Sequence, residues 1–77
     1  MTEVVFPRMS QDNPDAVGVL ATWYARDGEP VTQGQLIAEV QMDKVSNEVT
    51  APTAGTITCL VAEGAEVQQG TPIATIG

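Results

Sequence analysis

Apolar and polar residues alternate along most of the chain, in short runs cut by glycine, proline and clusters of acids and amides. Val4-Val5-Phe6 is the first run, stopped by Pro7 and followed by the turn formers Ser10 to Asp15. From Val17 to Ala25 the period of two is longest. Val17, Val19, Ala21, Trp23 and Ala25 share one face, which the pattern predicts to be the inward one, and Leu20, Thr22 and Tyr24 share the other. Asp27-Gly28-Glu29-Pro30 breaks this strand, and Val31 precedes the turn Thr32-Gln33-Gly34. Leu36 to Met42 then resumes an extended run. Val45 to Val49 is expected to return antiparallel to it and to end at Ala51-Pro52-Thr53-Ala54-Gly55. Thr56 to Val61 and Pro72 to Ile76 complete the set, with turns at Glu63-Gly64-Ala65 and Gln68-Gln69-Gly70. Apolar residues nowhere recur at helical spacing over three turns, so the pattern predicts an all-β fold.

Between the two central runs stands Met42-Asp43-Lys44-Val45, the tight turn of a hairpin. Asp suits an early turn position because its short side chain bonds nearby backbone. Lys44, the only lysine in the chain, is then placed at the tip, pointing into water. Pairing of Met42 with Val45 would also set Glu39 opposite Glu48, an arrangement tolerable only on a solvated face.

A shift of 36 residues lays Asp27 on Glu63, Gly28 on Gly64, Val31 on Val67, Gly34 on Gly70, Ile37 on Ile73 and Ala38 on Ala74. Two copies imply two similar half-sheets related by a pseudo-twofold and packed face to face, and not a solenoid. The same shift lays Val4 to Arg8 over Val40 to Lys44, which puts Lys44 at one end of the molecule.

Seventy-seven residues make a single small domain, spanning 1–77, that buries only about 60% of the surface its unfolded chain exposes. With three aromatic residues the core must be aliphatic. A formal charge of −7 argues against nucleic acid or anionic membranes as partners. One cysteine, Cys59, allows no internal disulfide and points to a reducing compartment. No apolar run approaches a membrane span, and the opening Met1-Thr2-Glu3 is expected of a cytoplasmic start. The domain is expected to be monomeric in isolation.

There is no histidine and there are only two serines, so no nucleophile has a base beside it, and no pair of Cys or His stands at metal-ligand spacing. Cys59, on one face with Ile57 and Val61, is expected to be a small buried hydrophobe. Trp23 is expected in the core beside Val19 and Ala21. Lys44 remains: a solvated lysine ammonium is a poor base but a good point for covalent attachment.

Asp43-Lys44-Val45 within a hairpin, the segment Ala51-Pro52-Thr53-Ala54-Gly55-Thr56-Ile57 and the repeated Gly28 and Gly64 turns together resemble the lipoyl domains of the acyltransferase (E2) component of 2-oxo acid dehydrogenase complexes. The likeness covers essentially the whole chain, with Gly28 sixteen residues before Lys44 and Gly55 eleven after it. It implies a flattened barrel-sandwich hybrid of two four-stranded antiparallel sheets, with lipoic acid on Lys44, Met42, Asp43 and Val45 supporting the turn, and Gln41, Gly28 and Gly55 in recognition by partners. Those partners would be the 2-oxo acid decarboxylase (E1), the acyltransferase core, dihydrolipoyl dehydrogenase (E3) and a lipoate ligase or lipoyltransferase. The domain itself would be a swinging-arm carrier and not an enzyme. In the family the loop corresponding to Ser10–Asp15 lies beside the lipoyl turn and takes part in recognition by the decarboxylase. This chain departs from the common pattern at Gln41, where many members have Glu, at Asn47, where a small apolar residue is usual, at Val17, and in the length of that loop. Asn47, sharing a face with Val40, is expected to be hydrogen-bonded or near the sheet end. Alternative readings are a biotinyl carrier, where Met flanks the lysine on both sides, and an unmodified binding module of the same hybrid-barrel type.

Overall fold

The computed structural model describes all 77 residues and contains eight strands and no helix. They are β1 (Thr2–Val5), β2 (Val17–Trp23), β3 (Pro30–Val31), β4 (Leu36–Met42), β5 (Val45–Thr50), β6 (Gly55–Cys59), β7 (Glu66–Gln68) and β8 (Pro72–Ile76). They form two antiparallel four-stranded sheets, ordered β1-β8-β6-β3 and β5-β4-β2-β7, packed face to face and not closed into a barrel. Six of the eight fall within a residue or two of the expected runs. The exceptions are the two short edge strands, β3 and β7, because two or three residues beside a turn carry too little alternation to stand out.

The core between the sheets is aliphatic apart from Phe6. Phe6, Leu20, Ile37, Val40, Ile57 and Ile73 are fully buried, and Ile76 nearly so. Burying such a side chain contributes about 1.5–3 kcal/mol, and these residues come evenly from both halves.

The pseudo-twofold holds in the ladders. Ala38 faces Val49 as Ala74 faces Val4, and both ladders shift register at the next pair, Leu36 with Thr50 and Pro72 with Val5. The Gly34 N–H donates to the Ala51 carbonyl (2.8 Å) as the Gly70 N–H does to Phe6 (2.9 Å). These pairs correct the expectation that Val4–Arg8 lies over Val40–Lys44. The counterpart of β4 is β8 and that of β5 is β1. The counterpart of the lysine hairpin is therefore the place where Gly77 meets Met1, with Thr2 paired to Ile76.

Along β2 the predicted inward face is reversed. Val17 and Val19 are exposed at 53% and 36%, while Leu20 is fully buried. The inward position before Leu20 is Gly18, and a Cβ there would stand 2.4 Å from Phe6 Cζ. The ring fills the place of the missing side chain, so the apolar alternation misses the true core face. The β2–β4 ladder then slips from Leu20–Val40 to Thr22–Glu39, an extra residue at Ala21 that changes the phase of everything after it. Trp23 is accordingly only half-buried. Its ring packs on the rim of the core while its indole N–H donates to the Val61 carbonyl at 3.0 Å.

Candidate functional site

β4 and β5 are joined by Asp43 and Lys44 alone, with Met42 paired to Val45, Gln41 to Ser46, Val40 to Asn47 and Glu39 to Glu48. A two-residue connection between paired strands needs positive φ in the turn. Asp43 supplies it at 56°, the only residue other than glycine in that region, and Asp is one of the few side chains that enters it at low cost. Asp43, Lys44 and Val45 are all exposed, whereas Met42 is buried against the core. The tip is thus an exposed amine on a base whose strands cannot splay without breaking the ladder.

Beside this tip lies an open cleft of about 390 Å³. One wall is the hairpin, through Met42, Asp43 and Val45, and the other is the β1–β2 connection, from Met9 to Asn13 with Ala16. That connection is held by Gln69, the only buried polar residue, at 6% exposure. Its Oε1 accepts from the N–H groups of Met9 and Ser10 (both 3.0 Å), and its Nε2 donates to the carbonyls of Ser10 (2.8 Å) and Asn13 (3.1 Å). Local turns add to this, with Asn13 N–H donating to Ser10 Oγ, Asp15 N–H to Asn13 Oδ1, and Gln68 Nε2 to Asp15 Oδ1.

Of the residues singled out from sequence, Met42, Asp43, Lys44 and Val45 come together at this end, and Gln41 stands on the exposed outer face three residues before the lysine. Gly28 and Gly55 line neither the tip nor the cleft. Gly28 takes φ 86° in a turn whose N–H donates to the Ile57 carbonyl (2.7 Å). Gly55 lies against Ile76 and Gly77 at the far end, where a Cβ would be 2.9 Å from Ile76 Cγ2. Asn47 is exposed on edge strand β5 and makes no side-chain hydrogen bond. Gln69 was not marked by sequence beyond its turn. The available signal was its pairing, through the 36-residue shift, with Gln33, which has no comparable loop to hold.

Cys59 is half-buried and not in the core. Its N–H donates to Asp27 Oδ1 at 2.9 Å. Partial burial, with Asp27 and Glu29 nearby, raises its thiol pKa above the ordinary 9.0, which keeps it protonated and unreactive at neutral pH. No group of three or more His, Cys, Asp or Glu converges as a metal site, and no helix is long and apolar enough to cross a membrane.

Against known families, the family model described as biotin-requiring enzyme (Biotin_lipoyl) matches residues 2–76. The chain belongs to the biotinyl/lipoyl family. Members are non-catalytic swinging-arm domains that carry a covalently attached cofactor, lipoyl or biotin. Similar curated proteins include the dihydrolipoyllysine-residue acetyltransferase component of the acetoin cleaving system of Bacillus subtilis (37% identical, 97% of this chain and 19% of the relative). Another is the pyruvate dehydrogenase E1 component subunit beta of Rhizobium meliloti (38% identical, 96% of this chain and 16% of the relative). The chain therefore spans less than a fifth of these relatives. Among solved structures, the lipoyl domain of the 2-oxoglutarate dehydrogenase complex from Azotobacter vinelandii matches with a TM-score of 0.80 and 29% identity, over all of this chain and 96% of that one. The two-sheet architecture is thus that of a lipoyl domain.

Proposed function

We propose that the chain is a lipoyl carrier domain of a 2-oxo acid dehydrogenase complex, with lipoic acid joined in amide linkage to Lys44 Nζ. The observation that carries this is the placement of the only lysine on an exposed two-residue tip between paired strands. Family membership leaves lipoate or biotin as the cofactor. Similarity to acyltransferase components and to a solved lipoyl domain supports lipoate, as do Asp43 and Val45 on either side of the lysine in place of Met.

When bound, the dithiolane supplies the capacity to carry acyl groups and electrons. The protein supplies position. Lys44 contributes the amide nitrogen and a flexible stem, and amide formation removes its charge, taking the formal total from −7 to −8. The Met42–Val45 and Gln41–Ser46 pairs hold the base of the arm, so that only the arm sweeps. Partners in this reading are a thiamine-diphosphate decarboxylase, an acyltransferase core, a flavin-dependent dihydrolipoyl dehydrogenase and a lipoylating enzyme, in the reducing cytoplasm. Tethering makes each encounter intramolecular, so effective concentration and not affinity sets the flux.

The test is intact-mass measurement after co-expression with a lipoate ligase and, separately, a biotin ligase. A single lipoyl adduct, lost in Lys44→Arg while the variant stays folded, is expected. A biotin adduct without a lipoyl one, or a lipoyl adduct that survives Lys44→Arg, refutes the assignment.

A further inference from the structure

The two halves make the same crossover between sheets at very different lengths. Phe6 and Ala51 are equivalent, each accepting from the glycine before β8 or β4. Gly18 and Gly55 are also equivalent, facing Val67 and Val31. Between Ala51 and Gly55 lie three residues, and between Phe6 and Gly18 eleven. The fold therefore does not need the longer connection. Ordering each extra residue costs about 1–2 kcal/mol of backbone entropy, yet Gln69 spends a buried amide on holding it, with both its atoms doubly bonded. The equivalent residue in the other half, Gln33, is exposed. What the held loop does is form the second wall of the cleft whose first wall is the lysine hairpin.

Resting on the carrier reading above, we infer that Gln69 is a positioning residue for loading of the arm: it fixes Met9–Asn13 in the shape that the decarboxylase reads beside Lys44. Gln69 touches neither the lysine nor a partner and acts through the loop. A lipoylating enzyme, which needs the hairpin, has no requirement for it.

The experiment uses the lipoylated 77-residue chain and four thiamine-diphosphate enzymes, three that decarboxylate pyruvate, 2-oxoglutarate and branched-chain 2-oxo acids and one that cleaves acetoin. The enzyme that acylates the wild-type domain is retained. Gln69→Met keeps length and volume but abolishes all four hydrogen bonds. Its KM as acyl acceptor is expected to rise about tenfold or more with kcat within about twofold, the signature of lost recognition rather than lost chemistry. Extent of lipoylation by mass is expected unchanged, as is the KM of Gln33→Met. A second variant replaces residues 7–17 with the three-residue crossover Pro-Thr-Ala of the other half. It should show the same raised KM, and adding Gln69→Met to it should change nothing more.

An unchanged KM in Gln69→Met overturns the inference, as does an equal further rise when Gln69→Met is added to the shortened loop. If Gln69→Met does not fold, the shortened variant decides alone: an unchanged KM there overturns the inference. A wild-type domain that is lipoylated at Lys44 but acylated by none of the four enzymes overturns the carrier reading, and the role of Gln69 falls with it.

Discussion

Gly18→Ala adds one methyl group at the point where the core, β2 and β4, the strand that leads into the lysine turn, meet. The new Cβ would stand 2.4 Å from Phe6 Cζ and 2.7 Å from the Gln41 carbonyl oxygen. The first contact can be relieved in part by tilting the ring, although Phe6 is fully buried and has little room. The second cannot, because that oxygen belongs to β4, whose partner in the ladder is Val19. Overpacking of this kind costs about 1–3 kcal/mol, and a clash with backbone places Gly18→Ala at the upper end. At about 4–8 °C per kcal/mol for a domain of this size, Tm should fall by about 10–20 °C. Urea unfolding followed by the fluorescence of Trp23, with circular dichroism alongside, gives the same quantity as a lower midpoint at unchanged slope. The double variant with Phe6→Leu separates the two contacts. Phe6→Leu alone leaves a cavity and costs about 1–2 kcal/mol, but in the Gly18→Ala background it removes a clash, so the pair should recover about 1 kcal/mol relative to additivity. The remaining cost belongs to the Gln41 carbonyl. A Gly18→Ala change within about 0.5 kcal/mol of wild type, the usual range for an unconstrained surface site, refutes this packing. So does strict additivity of the pair.

Asp43→Asn should keep the hairpin and full lipoylation, whereas Asp43→Val, β-branched at φ 56°, should cost about 1–2 kcal/mol and reduce the lipoylated fraction, read by urea unfolding and intact mass. Two symmetric caps should behave independently: Asp27→Ala and Glu63→Ala each remove the acceptor of a strand-end N–H, of Cys59 and Trp23 respectively. Each should cost about 1 kcal/mol, and the double variant should be additive within about 0.5 kcal/mol, since the two caps share no partner. Coupling between them would contradict the separation of the two sheets. The raised pKa of Cys59 means that folding favours the protonated thiol. Its contribution is fully present below the unfolded pKa and is lost as pH rises through the folded one. Alkylation of Cys59 at pH 8 should be slower in the folded domain than after denaturation in urea, and Cys59→Ala should flatten the loss of stability on the alkaline side of pH 9. Equal alkylation rates in both states would show that neither burial nor the neighbouring acids act on the thiol.

The strands whose faces alternate cleanly were legible from residue type alone. β8 runs from Pro72 to Ile76 as expected, and the Glu39–Glu48 pairing follows once Met42 is set opposite Val45. The hairpin was legible for the same reason, since two turn residues between alternating runs leave one register. Illegibility begins where a position is filled by something not local. Gly18 faces the core because Phe6, twelve residues earlier, occupies its side-chain space, and no pattern within β2 contains that information. The Ala21 bulge likewise hid the equivalence of Gly18 with Gly55, which are 37 residues apart and not 36. Gln69 escaped because its worth depends on four backbone groups some 60 residues away in sequence.

The twofold itself shows what makes one end of the molecule a site. The ladder β8–β1 repeats β4–β5 residue by residue, including the slip at Pro72 and Leu36, so sheet geometry alone does not distinguish them. Two differences do. At one end the chain closes through Asp43 and Lys44, while at the other Gly77 lies against Met1. The long crossover pinned by Gln69 also falls at the hairpin end, and the short Ala51–Gly55 crossover falls at the end with Gly77. On the carrier reading proposed above, the attachment point and the cleft beside it therefore lie together at the hairpin end, where the symmetry is broken twice.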